Sequence, residues 1–119
     1  MPDPTYHLTL TAVAAADERK GGDILVLNVS RVSTLADYFI VVTGYSTAQI
    51  RAIVRAIEEK VLDTCDCAPR RVEGMANASW VLMDYADVMV HVMLPKEREF
   101  YDLESFWGHA TRLELPVAG

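Results

Sequence analysis

Three short constellations in this chain hold the residue types that carry out chemistry. Gly44-Tyr45-Ser46 stands just ahead of a helical apolar period, where backbone N–H groups could cradle a phosphate, and Asp84 with Asp87 could hold a divalent metal for phosphoryl transfer. Metal-assisted transfer needs carboxylates that converge on one point, whereas Asp84 and Asp87 flank a hairpin turn and are expected in solvent. Ser46 reads instead as a helix cap. Cys65-Asp66-Cys67 supplies two thiols, but structural zinc takes four ligands at wider spacing, and His7, His91 and His109 are scattered along the chain. The expectation is a loop with free thiols. His91 is the one candidate base on a rigid element, and its sequence neighbours supply no nucleophile. No catalytic residue, cofactor or metal is therefore expected.

A different kind of chemistry, recognition, is written into Ser79–Asp84 and Asp87–Leu94, two strand-like runs. With Tyr85-Ala86 as a two-residue turn, Trp80 stands opposite His91, Leu82 opposite Met89 and Asp84 opposite Asp87; Val81 pairs with Val90 and Met83 with Val88 on the other face. The Val81 face is aliphatic and reads as core. The opposite one, Trp80, Leu82, Met89, His91 and Met93, combines an indole N–H, an imidazole and two thioethers, a mixture enriched where proteins meet. It reads as a docking surface, with Tyr101 at its rim; the plainer alternative is that another helix covers it. Neither Tyr85 nor Ala86 favours the positive φ of a tight hairpin, so a wider loop is also open.

Those strands need elements around them. Thr5 can cap a first helix to about Lys20, with Leu8, Ala12, Ala15 and Ala16 on one face and Gly21-Gly22 at its end. Ile24–Val29 and Leu35–Thr43 are apolar runs of strand length, the second too continuous to have a wet face, so it is central. Ser46 and Gln49 have capping-box spacing, and Ile50, Ile53, Val54, Ile57 and Val61 follow a helical period. Arg51 and Arg55 with Glu58 and Glu59 read as a solvated face of ion pairs. Residues 65–77 read as a loop, Pro95 opens a last helix, and Phe100, Leu103 and Phe106 or Trp107 read as core. The tail after Trp107 is either unstructured or a brace on a sheet edge.

With 119 residues, 51% of them hydrophobic, the chain suits one domain, 1–119, with a core of about 5–108 and a tail of 109–119. No apolar stretch approaches a membrane span, and the first residues have no secretory pattern, so a cytoplasmic protein is expected. A net charge of −6 opposes contact with bare phosphate backbone and favours a basic protein partner over direct DNA contact.

Several blocks in fixed order carry a resemblance: Ala36-Asp37-Tyr38-Phe39-Ile40-Val41-Val42-Thr43-Gly44, Glu73-Gly74, Trp80-Val81-Leu82-Met83-Asp84-Tyr85-Ala86-Asp87-Val88 with Val90-His91-Val92, and Arg98-Glu99-Phe100-Tyr101-Asp102-Leu103-Glu104 with Trp107. From about Leu35 to Trp107 the chain resembles the ribosomal silencing factor, or Iojap, family. The resemblance implies an α/β (α+β) two-layer domain related in fold to nucleotidyltransferases, its mixed sheet covered by helices on one side. It also implies a non-enzymatic translation repressor. Such a protein binds the large ribosomal subunit through the ribosomal protein numbered fourteen, blocks joining of the small subunit under nutrient limitation, and is a homodimer when free. Organellar relatives imply large-subunit assembly as an alternative use of the same surface. The partner-binding residues carried over are Trp80 first, with His91 and Met93 beside it. The departures are Tyr45 and Ala86, where a small polar residue and a glycine are common.

Overall fold

The computed structural model of the protein describes residues 3–106 and 110–113. The elements in chain order are α1 (Pro4–Glu18), β1 (Gly22–Asn28), β2 (Tyr38–Thr43), α2 (Thr47–Cys65), β3 (Arg71–Glu73), β4 (Trp80–Asp84), β5 (Val88–Met93), α3 (Pro95–Tyr101), α4 (Leu103–Phe106) and β6 (Thr111–Arg112). The six strands form one sheet in the order β3-β4-β5-β2-β1-β6. Among the described strands only β2 and β5 run parallel, and the chain between them crosses over through α2, as a parallel pair requires. Every residue of β2 is buried, which is why its run of Tyr38 to Thr43 shows no alternation. This is the mixed α/β sheet expected from the sequence.

α1 and α2 pack on one face of that sheet. Ala12, Ala15 and Ala16 are fully buried and let α1 approach closely, while Ile50, Ile53, Val54, Ile57 and Val61 of α2 meet Ile40, Val42, Val81, Met83, Val90 and Val92. Thr9 and Thr11, buried in α1, satisfy their hydroxyls by donating to the carbonyls four residues back. α2 begins as expected: Ser46 Oγ accepts the Gln49 N–H at 3.0 Å, and Gln49 Oε1 accepts the Tyr45 N–H at 2.7 Å. α1, however, is capped by Asp3, whose carboxylate accepts the Thr5 N–H at 3.0 Å, and not by Thr5. Pro4 occupies the first turn, which shifts the cap two residues upstream.

Other boundaries also differ from the sequence reading. β2 starts at Tyr38 rather than Leu35, and the stretch read as a loop, 65–77, contains β3, whose half-wet pattern of exposed Arg71 and Glu73 around Val72 resembles a turn in composition. The tail's Thr111–Arg112 pairs antiparallel with β1 at Asn28 and Leu27, bracing that edge. Arg51 is not a solvated ion-pair residue. Its guanidinium donates to the carbonyls of Met75 (3.2 Å) and Ala76 (2.8 Å), tying the β3–β4 loop to α2. The helical period expected to run through Phe100, Leu103 and Phe106 is broken at Asp102, which takes a left-handed φ of 46° and ends α3. Phe100 is consequently 79% exposed rather than core, and Leu103 half-buried. Trp107 and His109 lie outside the described residues.

Candidate functional site

The second face of the sheet is where the candidate residues gather. The β4–β5 hairpin pairs Trp80 with Met93, Leu82 with His91 and Asp84 with Met89, an offset of two residues from the expected register. The cause is the turn: Tyr85 N–H donates to Val88 O at 2.9 Å, so Ala86-Asp87 form the loop, and Ala86 adopts a φ of 72° despite its methyl group. Because a two-residue offset is an even one, every side chain keeps its face. Val81, Met83, Val88, Val90 and Val92 point to the helices; Trp80, Leu82, Met89, His91 and Met93 point away.

On that second face the six candidate residues separate by burial. Met93 and His91 are buried, Trp80, Leu82 and Met89 half-buried, and Tyr101 of α3 is exposed. Phe39, Leu27 and Val29 extend the apolar floor, with Leu25, Met89 and Ala110 against it. Trp80 is fixed from two sides. Its indole N–H donates to His91 Nδ1 at 3.1 Å, and its ring lies 4.7 Å, centroid to centroid, from that of Tyr101. Tyr101 in turn meets Phe100 edge to face at 5.0 Å. The result is a continuous aromatic strip from the sheet to the outside of α3.

His91 is held neutral by this arrangement. Burial alone pushes its pKa from the ordinary 6.5 down to about 4, and since Nδ1 accepts from the indole, the proton sits on Nε2, which is buried without a hydrogen-bond partner among the described residues. Between pH 6.5 and 4 the unfolded chain takes up a proton here and the folded one does not, so stability falls as pH falls through that window and levels below it. The loss is on the order of 3 kcal/mol for the whole window. Urea unfolding of wild type and His91→Gln at pH 7 and pH 5 is expected to show a wild-type decline that the variant, whose amide oxygen can still accept from Trp80, largely lacks.

Asp84 is a correction to the sequence reading, which put it in solvent. It is 1% exposed. Its Oδ1 accepts the Ala86 N–H at 2.8 Å, and Arg70 and Arg71 reach it at 3.1 and 3.3 Å. Burial alone would raise its pKa, but the Ala86 N–H and the two guanidiniums outweigh it, and the carboxyl lies below its usual range. Asp84 thus anchors the hairpin turn. Asp84→Ala is expected to cost roughly 2 kcal/mol in chemical denaturation, mostly through the orphaned Ala86 N–H, because both arginine heads are largely solvated and their attraction is screened. Arg70→Ala should cost less than half of that.

The same geometry bears on phosphoryl transfer. Asp84 lies level with Met89 and Phe39 at one end of the sheet, whereas Gly44 follows β2 at the other, five residues or about 16 Å along the strand. Gly44, Ser46 and Asp84 do not converge, and Ser46 Oγ is committed to the α2 cap. Cys65 and Cys67 are free thiols, and no cluster of three or more His, Cys, Asp or Glu able to hold a metal occurs among the described residues.

Sequence reasoning passed over one residue of the site. Arg98, given no role of its own in the sequence reading and quoted there only within a block of the resemblance, has a side chain 13% exposed that pairs with Glu104 at 3.1 Å and reaches β1 and β2. The signal available was the six-residue spacing of two opposite charges across Asp102.

Comparison with known proteins places this geometry in context. A family described as "Ribosomal silencing factor during starvation" matches residues 2–118. The ribosomal silencing factor of Bacillus subtilis is 40% identical over 104 residues, covering 87% of each chain. The chloroplastic Iojap protein of Zea mays is 39% identical over 127 aligned positions, which cover 97% of this chain and 54% of the maize protein. A crystal structure from Chromobacterium violaceum, 34% identical, superposes with a TM-score of 0.83 over 96% of this chain and 93% of that one. With sequence match and fold both extending over nearly the whole chain, the protein belongs to the ribosomal silencing factor family.

Proposed function

We propose that this protein docks on the large ribosomal subunit with the second face of its sheet, through the ribosomal protein numbered fourteen, and so keeps the small subunit from joining. One observation carries the reading: a sheet face that holds Trp80, Leu82 and Met89 half-buried, rimmed by Tyr101, in a family named for ribosomal silencing. Half-buried aromatic and thioether side chains around a buried floor have the anatomy of an interface core, and the outer ring is completed when a partner excludes water. The net charge of −6 favours a basic ribosomal protein and steers association toward it. A standard interface of roughly 800 Å² is within reach of one sheet face and the α3 rim.

The mechanism is occlusion, with no bond made or broken. Repression then follows occupancy, which rises with the protein's concentration under nutrient limitation in the cytoplasm. The free protein pairs as a homodimer. The reading is tested by sedimenting the protein with purified large and small subunits across a salt series. It expects co-sedimentation with large subunits alone, weakening as salt rises; equal binding to both subunits, or to neither, contradicts it.

A further inference from the structure

We propose that Arg98 is a positioning residue of the docking face: its guanidinium pins α3 to the ends of β1 and β2 so that Tyr101 braces Trp80 in the orientation a partner meets. The inference rests on the docking role proposed above. α3 needs such a pin because none of its residues is fully buried, so apolar packing contributes little to holding it on the sheet. Its start is fixed by the Leu94 N–H on the Ser79 carbonyl at 2.9 Å, and its end meets the sheet through the Tyr101–Trp80 ring contact. Between them Arg98 makes three charge-assisted bonds, Nη1 to the Asp23 carbonyl at 2.6 Å and to Thr43 Oγ1 at 2.9 Å, and Nε to Glu104 Oε1 at 3.1 Å.

The acceptors are themselves shaped for the pin. β1 pairs with β2 irregularly between Gly22 and Leu25, and inside that irregularity Asp23 adopts a left-handed φ of 44°, which aspartate tolerates better than most residues with a Cβ. The distortion coincides with an Asp23 carbonyl that faces Arg98. On the other side, the left-handed Asp102 turns the chain back so that Glu104, six residues on, meets the guanidinium. Two left-handed aspartates thus set the chain so that acceptors from β1 and α4 converge on one largely buried cation. A lysine offers a single point charge on a flexible stem and cannot meet acceptors spread over three elements.

The test uses the full chain with Arg98→Ala, Arg98→Lys and Asp23→Gly, and reads two quantities. One is the position of the Trp80 indole N–H resonance, assigned with Trp80→Phe; the other is affinity for large subunits by sedimentation. Arg98→Ala is expected to move the Trp80 resonance and weaken binding at least tenfold while far-UV circular dichroism and cooperative melting persist, with Arg98→Lys in between. Asp23→Gly, which keeps the carbonyl and accepts the φ, should bind within twofold of wild type. If Arg98→Ala does not fold, Glu104→Ala, which removes one acceptor of three, carries the same expectation at smaller amplitude. An unmoved resonance overturns the pin, and a moved resonance with unchanged affinity overturns its part in docking. Should wild type itself not bind large subunits, the docking role fails, yet the resonance still decides whether Arg98 positions Trp80.

Discussion

Replacing Trp80 with alanine is expected to weaken association with the large subunit by roughly 2 kcal/mol or more, at least about thirtyfold, while the chain remains folded. The size of the effect follows from what the indole does in the free protein. It sits half-buried on the outward face of β4, bonded to His91 and in tilted ring contact with Tyr101, so its orientation is set before a partner arrives and little rotamer entropy is lost on docking. Alanine removes the apolar plate and leaves His91 Nδ1 without its donor. Part of the cost therefore falls on the free protein, and Trp80→Phe separates the two contributions. Phenylalanine keeps a plate for Tyr101 but lacks the N–H, so it should destabilise the fold nearly as much as alanine does through His91 and recover most of the binding. Affinity by sedimentation beside thermal melting of both variants distinguishes these effects. Equal affinities for wild type and alanine variant would remove Trp80 from the interface.

The second large effect is on the fold. Gly74→Ala is expected to destabilise the protein by roughly 3 kcal/mol or more, lowering the melting temperature on the order of 10 °C. Gly74 follows β3 at a φ of 94°, a region open to glycine and strained for any residue with a side chain. A Cβ there would stand 2.2 Å from the Trp80 carbonyl oxygen and 3.2 Å from its carbonyl carbon, so backbone rather than a flexible side chain must move. The movement would fall on the start of β4 and hence on Trp80 itself. Thermal unfolding followed by circular dichroism checks the stability. Because the displaced strand carries the candidate anchor, the surviving folded fraction should also bind large subunits more weakly than wild type. A melting point within 2 °C of wild type would show that the β3–β4 turn relaxes freely.

What could be read from the residues was whatever periodicity or chemistry writes locally. The apolar run from Tyr38 to Thr43 marked the central strand, the Ile50-Ile53-Val54-Ile57-Val61 period marked α2, and alternation in Trp80–Asp84 and Val88–Met93 separated the two faces of the hairpin. The face assignment survived a wrong register because the offset was even. The register itself was hidden, since it depends on Ala86 taking a positive φ that its side chain disfavours and that the Asp84 carboxylate stabilises from two residues back. Long-range polar contacts were equally silent. Arg51 on the Met75 and Ala76 carbonyls, Arg70 and Arg71 on Asp84, and Arg98 on Asp23 join residues that sequence separation alone cannot pair. A charged residue looks solvated until the backbone that meets it is known, which is why both Asp84 and Arg51 read as solvated. Phe100 shows the converse, a large apolar residue in helical spacing that the turn at Asp102 leaves outside the core.

Occlusion of the shared subunit surface is most directly tested by subunit joining. Purified large and small subunits are mixed under joining conditions with rising amounts of wild-type protein or of the folded Trp80→Ala variant, and joined ribosomes are resolved from free subunits on a density gradient. The expected result is a joined peak that falls in step with the wild-type protein found on the large subunit, and a peak that persists with the variant at the same concentrations. Joining that proceeds with wild-type protein still bound would contradict occlusion, and a variant that blocks joining as well as wild type would contradict docking through Trp80.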